Sequence, residues 1–270
     1  MAFTYFAIRS IFVVFVLSAF QSMKTVNCNS ENTCKGVLHN CCKYCDNQGQ
    51  VLHKDDVCKS RNRKATSFDG NNINQYGIFY GPSPLLNTLT ISLWITVWND
   101  DYYKKNAYVA MVSYADKQTD NAFALTIHHS TLDIFIVGAI IQTGVNDLLD
   151  GKPHHLAVTW ESSSGQINVY KDGMIRSTKA GGKSKSLKAG GQWVIGQDQD
   201  FVGGGFQNQN AFKGEIDFVY VWNEKLTSRE IKFLAKDCNS ELDGYIIAYD
   251  DFKFSKATNL RKPTCAKTFE

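Results

Sequence analysis

At 270 residues, with 43% hydrophobic and 13% aromatic side chains and only 4 prolines, the chain can form one large domain plus a small module and is too rich in core-forming residues to be disordered. Its net charge of +3 is too small to point to a nucleic-acid partner. The 8 cysteines are clustered rather than spread, which is the strongest compositional signal.

Arg9 is the only charged residue before Lys24, and residues 11–17 (IFVVFVL) form an apolar run followed by Ser18 and Ala19. A short positive segment and an apolar stretch of ~7–15 residues are the parts of a secretory signal peptide, expected here over residues 1–22. The run falls short of the ~20 apolar residues of a membrane helix, and no later stretch reaches that length. A signal anchor is the competing reading, and the cysteines argue against it by indicating an oxidising, extracellular setting.

Cys28, Cys34, Cys41, Cys42, Cys45 and Cys58 fall in residues 27–58, a segment too small to bury a core and therefore expected to be held by disulfides. Counting alone leaves their pairing open. A zinc site on Cys42, Cys45, His39 and His53 is the alternative, disfavoured because oxidation competes for the thiols. Residues 59–65 (KSRNRKA) are basic, lack apolar periodicity, and are expected to form a linker.

From residue 66 strand signals recur: 89–95, 122–126, 132–137, 155–160, 166–170, 174–175, 193–195 and 216–222, punctuated by Gly, Asn and Asp. Asp172-Gly173 predicts a tight hairpin, because both residues tolerate positive φ. Thr227 to Glu230 reads as a capping box opening a short helix over 231–235. The fold class is thus all-β, an antiparallel two-sheet jelly-roll sandwich with one short helix over residues 66–238, preceded by the disulfide-rich module. In the tail, 239–270, the apolar run 245–249 is expected to pack back as a strand. A Cys238 to Cys265 disulfide would close a loop around it, contributing about 3 kcal/mol by the chain-entropy model.

The cysteine spacing of the N-terminal module resembles the inhibitor-cystine-knot (knottin) pattern, which implies Cys28 with Cys42, Cys34 with Cys45 and Cys41 with Cys58. The body has its own recognisable order. His155-Leu156-Ala157-Val158-Thr159-Trp160 is followed by Gly165 to Gly173, then Gly196-Gln197-Asp198-Gln199-Asp200, Lys213-Gly214-Glu215-Ile216-Asp217 and the helix start. This resembles the concanavalin-like sandwich of laminin-G and pentraxin domains. Ser113-Tyr114-Ala115 leading to Asp120-Asn121, and Asp198-Gln199-Asp200 followed by Gly203, Gly204 and Phe206, make it most similar to a pentraxin.

The resemblance implies a Ca2+ site built from Asp120, Asn121, Asp198, the backbone carbonyl of Gln199, and Asp200. Calcium's preference for six to eight oxygen ligands agrees with that set, although such residues are also ordinary in polar loops. A second family site falls on Gln207 and Asn210. With a neutral amide at the first of these positions it should be weak or empty, since affinity follows ligand charge. The family disulfide falls on Ser92 and Ala157 and is absent. The choline-recognising positions fall near Thr126 and Ile141, which removes the basis for choline specificity. Lys179, Lys183, Lys185 and Lys188, with Lys171 and Arg176, form a basic stretch suited to anionic glycans or simply to solvent. Glu215 and Asp217 alternate as in jelly-roll glycosidases, but the third acid is missing, so no enzyme is expected.

The expected function is a secreted, calcium-dependent, lectin-like recognition protein with a glycan or extracellular protein ligand, no nucleic-acid partner and no membrane span, and the family's tendency to homo-oligomerise. The alternative is a structural extracellular-matrix or mineral-matrix protein using a laminin-G-like adhesion domain.

Overall fold

A computed structural model describes residues 65–261, apart from 99–100, 237 and 239. The expected signal peptide, the cysteine-rich module with its three disulfides, nearly all of the linker, and Cys265 lie outside the described residues. Cys238 is disulfide-bonded.

The strands are β1 (Ala65–Asp69), β2 (Gly77–Phe79), β3 (Thr88–Val97), β4 (Val109–Ala115), β5 (Phe123–His128), β6 (Thr131–Ile136) and β7 (Ala139–Gln142). They continue as β8 (Pro153–Glu161), β9 (Gln166–Lys171), β10 (Met174–Ala180), β11 (Gln192–Ile195), β12 (Lys213–Trp222), β13 (Tyr245–Ala248), β14 (Phe252–Phe254) and β15 (Asn259–Arg261). Two helices, α1 (Tyr102–Lys105) and α2 (Ser228–Leu234), interrupt them. One antiparallel sheet has the order β10-β9-β8-β3-β12-β1-β15, with β13 paired to the far half of β12. The other has the order β14-β2-β11-β4-β5-β6-β7.

Alternation decides which residues meet between the sheets. Leu89, Ile91, Leu93, Ile95 and Val97 of β3 and Leu156, Val158 and Trp160 of β8 share one core with Tyr114, Phe123, Leu125, Ile127 and Trp193 of the opposing sheet. The other face of the first sheet carries a second apolar cluster. There Trp94, Tyr170, Phe218, Tyr220 and Trp222 pack with Ile231 and Leu234 of α2. Both Asp217 and Phe218 lie off the main core because β12 bulges between Asp217 and Tyr220, with Phe218 at φ 49°.

The expected local signals are present. Asp172 and Gly173 have φ of 52° and 76°, as a type I′ turn requires. The Glu230 amide donates to Thr227 Oγ1 (3.3 Å) while the Thr227 amide donates to Glu230 Oε2 (2.7 Å), which closes the capping box.

Three expectations need correction. Ala65, assigned to the linker, is the first residue of β1. A second helix exists, but α1 is a single turn and too short to show a period. The sandwich does not end at residue 238: β13 pairs with β12, β14 with β2 and β15 with β1, so the tail belongs to both sheets. Its last two strands have three residues each, which leaves no alternation to detect.

Candidate metal site

The site is built from two loops carried by the second sheet. At Gly196 the chain leaves β11 with φ 84°, and a Cβ there would lie 2.2 Å from the Phe68 ring, so only glycine serves. In the loop that follows, burial alternates from residue to residue. Gln197 and Gln199 turn inward and are fully buried. Gln197 Nε2 donates to the carbonyls of Asn72 (2.9 Å) and Gln75 (3.0 Å). Gln199 Nε2 donates to Ser113 Oγ and to the Gln192 carbonyl, both at 3.1 Å, and its Oε1 accepts the Gly203 amide (2.8 Å). Ser113 Oγ donates to the Gln197 carbonyl (2.7 Å), which ties the loop to β4. Asp198 is half-buried and Asp200 exposed.

The second loop, between β4 and β5, is shaped by buried Asp116. Its Oδ1 accepts the amides of Gln118 (2.8 Å) and Thr119 (3.0 Å). Asp120 and Asn121 follow, with the Asn121 amide donating to Asp120 Oδ1 (2.8 Å) and the Asn121 carbonyl accepting from Gly138 (3.0 Å).

The Asp198 carboxyl senses the charge of Asp120 on the second loop as well as that of Asp200 on its own. Burial pushes the Asp198 carboxyl up to about 6, and the charges of Asp200 and Asp120 push in the same direction, partly opposed by the Gln199 amide. Asp198 Oδ1 is buried and has no hydrogen-bond partner. A cation would relieve both conditions. Among the described residues no three His, Cys, Asp or Glu side chains form a ready-made metal set. A cation here would therefore also draw on amide and carbonyl oxygens, which suits calcium and not zinc. Gln199 can contribute only its backbone carbonyl, because its amide group is engaged.

The remaining predicted residues are placed differently. Gln207 Nε2 donates to Asp200 Oδ2 (2.7 Å), so Gln207 meets the first set but presents a donor to its carboxylate. Asn210 points elsewhere, donating to the carbonyls of Ala107 (3.1 Å) and Tyr108 (3.2 Å). Ser92 and Ala157 are directly paired across β3 and β8. In place of a disulfide, Ser92 Oγ hydrogen-bonds His155 Nε2 (2.8 Å). Thr126 is buried and Ile141 half-buried.

Lys179 on β10 and Lys183, Lys185 and Lys188 in the following loop are exposed and form no ion pair among the described residues. Lys171 and Arg176 are instead committed to Asp147, each at 3.0 Å. Asp116, which sequence reasoning missed, is signalled only by an Asp at a strand end before a polar turn.

A two-sheet antiparallel sandwich with a loop-borne oxygen cluster on one outer face is the lectin-like, concanavalin-like architecture. The Pentaxin family model matches residues 78–261, and the chain belongs to that family. It is 31% identical over 185 residues to C-reactive protein 1.1 of Limulus polyphemus, covering 66% of this chain and 74% of that one. It is 32% identical over 188 residues to the rat Sushi, von Willebrand factor type A, EGF and pentraxin domain-containing protein 1, covering 68% of this chain but only 5% of that much longer protein. Among solved structures, the heptameric SAP-like pentraxin of Limulus polyphemus superposes with a TM-score of 0.62 at 24% identity, over 75% of this chain and 96% of that one, a likeness of fold. No helix among the described residues is long and apolar enough to cross a membrane.

Proposed function

We propose that this chain is a secreted recognition protein of the pentraxin type that binds its ligand through one calcium ion held by Asp120, Asn121, Asp198, the Gln199 carbonyl and Asp200. The observation that carries the reading is Asp198: a buried carboxylate oxygen without a partner, pressed by two further carboxylates. Such a group is costly in an empty site and satisfied by a divalent cation. Bound calcium would offer its remaining coordination positions to oxygens of a ligand. The protein's part is to hold the carboxylates in place, which Gln199, Ser113 and Asp116 do. The second family site is weak or vacant, because the Gln207 amide points its donor at Asp200 and Asn210 faces away.

Secretion follows from the signal-like residues 1–22 and the cysteine-rich segment 27–58. The reading is one of binding and not catalysis, since Glu215 and Asp217 lack a third acid on their strand. Thermal denaturation with and without calcium tests it. Calcium should raise Tm by several degrees in the wild type and leave Asp198→Ala plus Asp200→Ala unmoved. An equal rise in both would place the ion elsewhere.

A second reading, adhesion to anionic matrix glycans, is favoured by the four exposed lysines at and after the β10 edge. Retention on immobilised heparin that survives chelator but is lost on Lys183→Glu plus Lys185→Glu would establish it; retention unaffected by those changes would dismiss it.

A further inference from the structure

We infer that Phe201 is a stacking platform beside the cation site. The ligand it selects is a pyranose whose oxygens reach the cation while the carbon-hydrogen face of its ring lies on the phenyl ring. The inference rests on the calcium reading above and goes further by naming a residue of this chain that selects the ligand.

Phe201 directly follows Asp200 and is 63% exposed. A single exposed apolar residue needs no explanation by itself. What sets this one apart is how firmly it is held. The Gly204 amide donates to the Phe201 carbonyl (2.9 Å), and the Asp200 amide donates to the Gly204 carbonyl (3.1 Å), so the turn closes on itself. Its far side is pinned where Gly203 donates to buried Gln199. Gly203 and Gly205 have φ of 75° and 78°.

Gly204 has a different reason to be glycine. A Cβ there would lie 2.3 Å from the Phe201 ring, so the ring can lie back on the turn only because no side chain is present. Three consecutive glycines thus shape the turn after Asp200, and the exposed Phe201 ring rests against Gly204.

A ring laid back on its turn is a poor membrane anchor, because it does not project from the surface. It is a good surface for stacking. An aromatic face is electron-rich and attracts the electron-poor C–H bonds of a sugar ring. The same sugar carries hydroxyl or acid oxygens at its edge, which are the ligands a hard cation takes. One molecule therefore satisfies both neighbours.

The test compares wild type, Phe201→Ala and Phe201→Trp in three measurements. These are the calcium-induced shift in Tm, binding to an array of immobilised saccharides in calcium or chelator, and co-flotation with phosphatidylserine–phosphatidylcholine vesicles in calcium. Phe201→Ala should keep the calcium shift and lose about tenfold in calcium-dependent saccharide affinity, while Phe201→Trp keeps both. The inference is overturned if Phe201→Ala binds saccharides as the wild type does. It is equally overturned if a calcium-responsive wild type binds no saccharide, or if Phe201→Ala loses vesicle binding instead. A wild type with no calcium shift overturns the cation reading itself, and this inference with it.

Discussion

Asp198 carries most of the functional argument, and its geometry makes a prediction of unusual sign. Asp198→Asn removes a buried charge whose Oδ1 has no partner. In chelator the variant should therefore be more stable than wild type, by about 1–2 kcal/mol in urea denaturation, while its calcium response disappears. A loss of stability in chelator would mean that the charge at Asp198 is not costly in the empty site. The adjacent histidines give the pH dependence. Complete burial depresses His155 to about 4, so it is neutral in the fold and titrates normally when unfolded. Its contribution is present above pH 6.5 and lost as pH falls toward 4, by up to about 3 kcal/mol. His154 has the opposite sign. Burial pulls it down, but bonds to Asp172 (2.8 Å) and Asp150 (3.0 Å) outweigh that and raise it. Its contribution is full below pH 6.5 and is lost as pH rises through the raised value. Urea melts from pH 4.5 to 8 should show His155→Gln flattening the acid limb relative to wild type and His154→Gln flattening the alkaline one. Superimposable profiles would reject both assignments. Asp120, Asn121, Asp198 and Asp200 can be proposed from the sequence because oxygen-bearing side chains are the chemistry a hard cation takes. Ser113 and Asp116 were not readable as anchors, since their roles depend on contacts to distant backbone.

At the scale of the element, the site depends on a strand end and a loop that folds back over the sheet. Gly196 is the pivot. Gly196→Ala meets both a positive φ and the Phe68 ring, and should cost about 3 kcal/mol together with the calcium response. A variant that folds with wild-type Tm and calcium shift would show that the loop is not positioned there. The long strands β3, β8 and β12 and the capped helix α2 were visible from alternation and capping chemistry. Strand β4 carries the loop anchor Ser113 but is buried along its whole length. Its Val-Ala-Met-Val-Ser-Tyr-Ala run therefore lacks the alternation that marks a strand. The three-residue β14 and β15 were invisible for want of length. The approach of Gln207 to Asp200 depends on the path of the 201–207 loop, which no local pattern encodes.

Across the whole molecule, the sandwich closes only when its last strands return to both sheets. Deleting residues 245–270 should abolish cooperative unfolding, because β12, β2 and β1 each lose a partner. A truncated chain that melts cooperatively would show that the fold ends near residue 238. The architecture is that of the family; here Ser92 hydrogen-bonds His155 where the resemblance implies a disulfide, and the Gln207 amide donates to Asp200. The Gln207 donor and the turned-away Asn210 support the proposal of a single cation site. Calorimetric titration of calcium into the full chain measures that directly. One ion per chain should bind in the wild type and none in Asp198→Asn plus Asp200→Asn. Two ions per chain, none, or one that survives the double substitution would contradict the account.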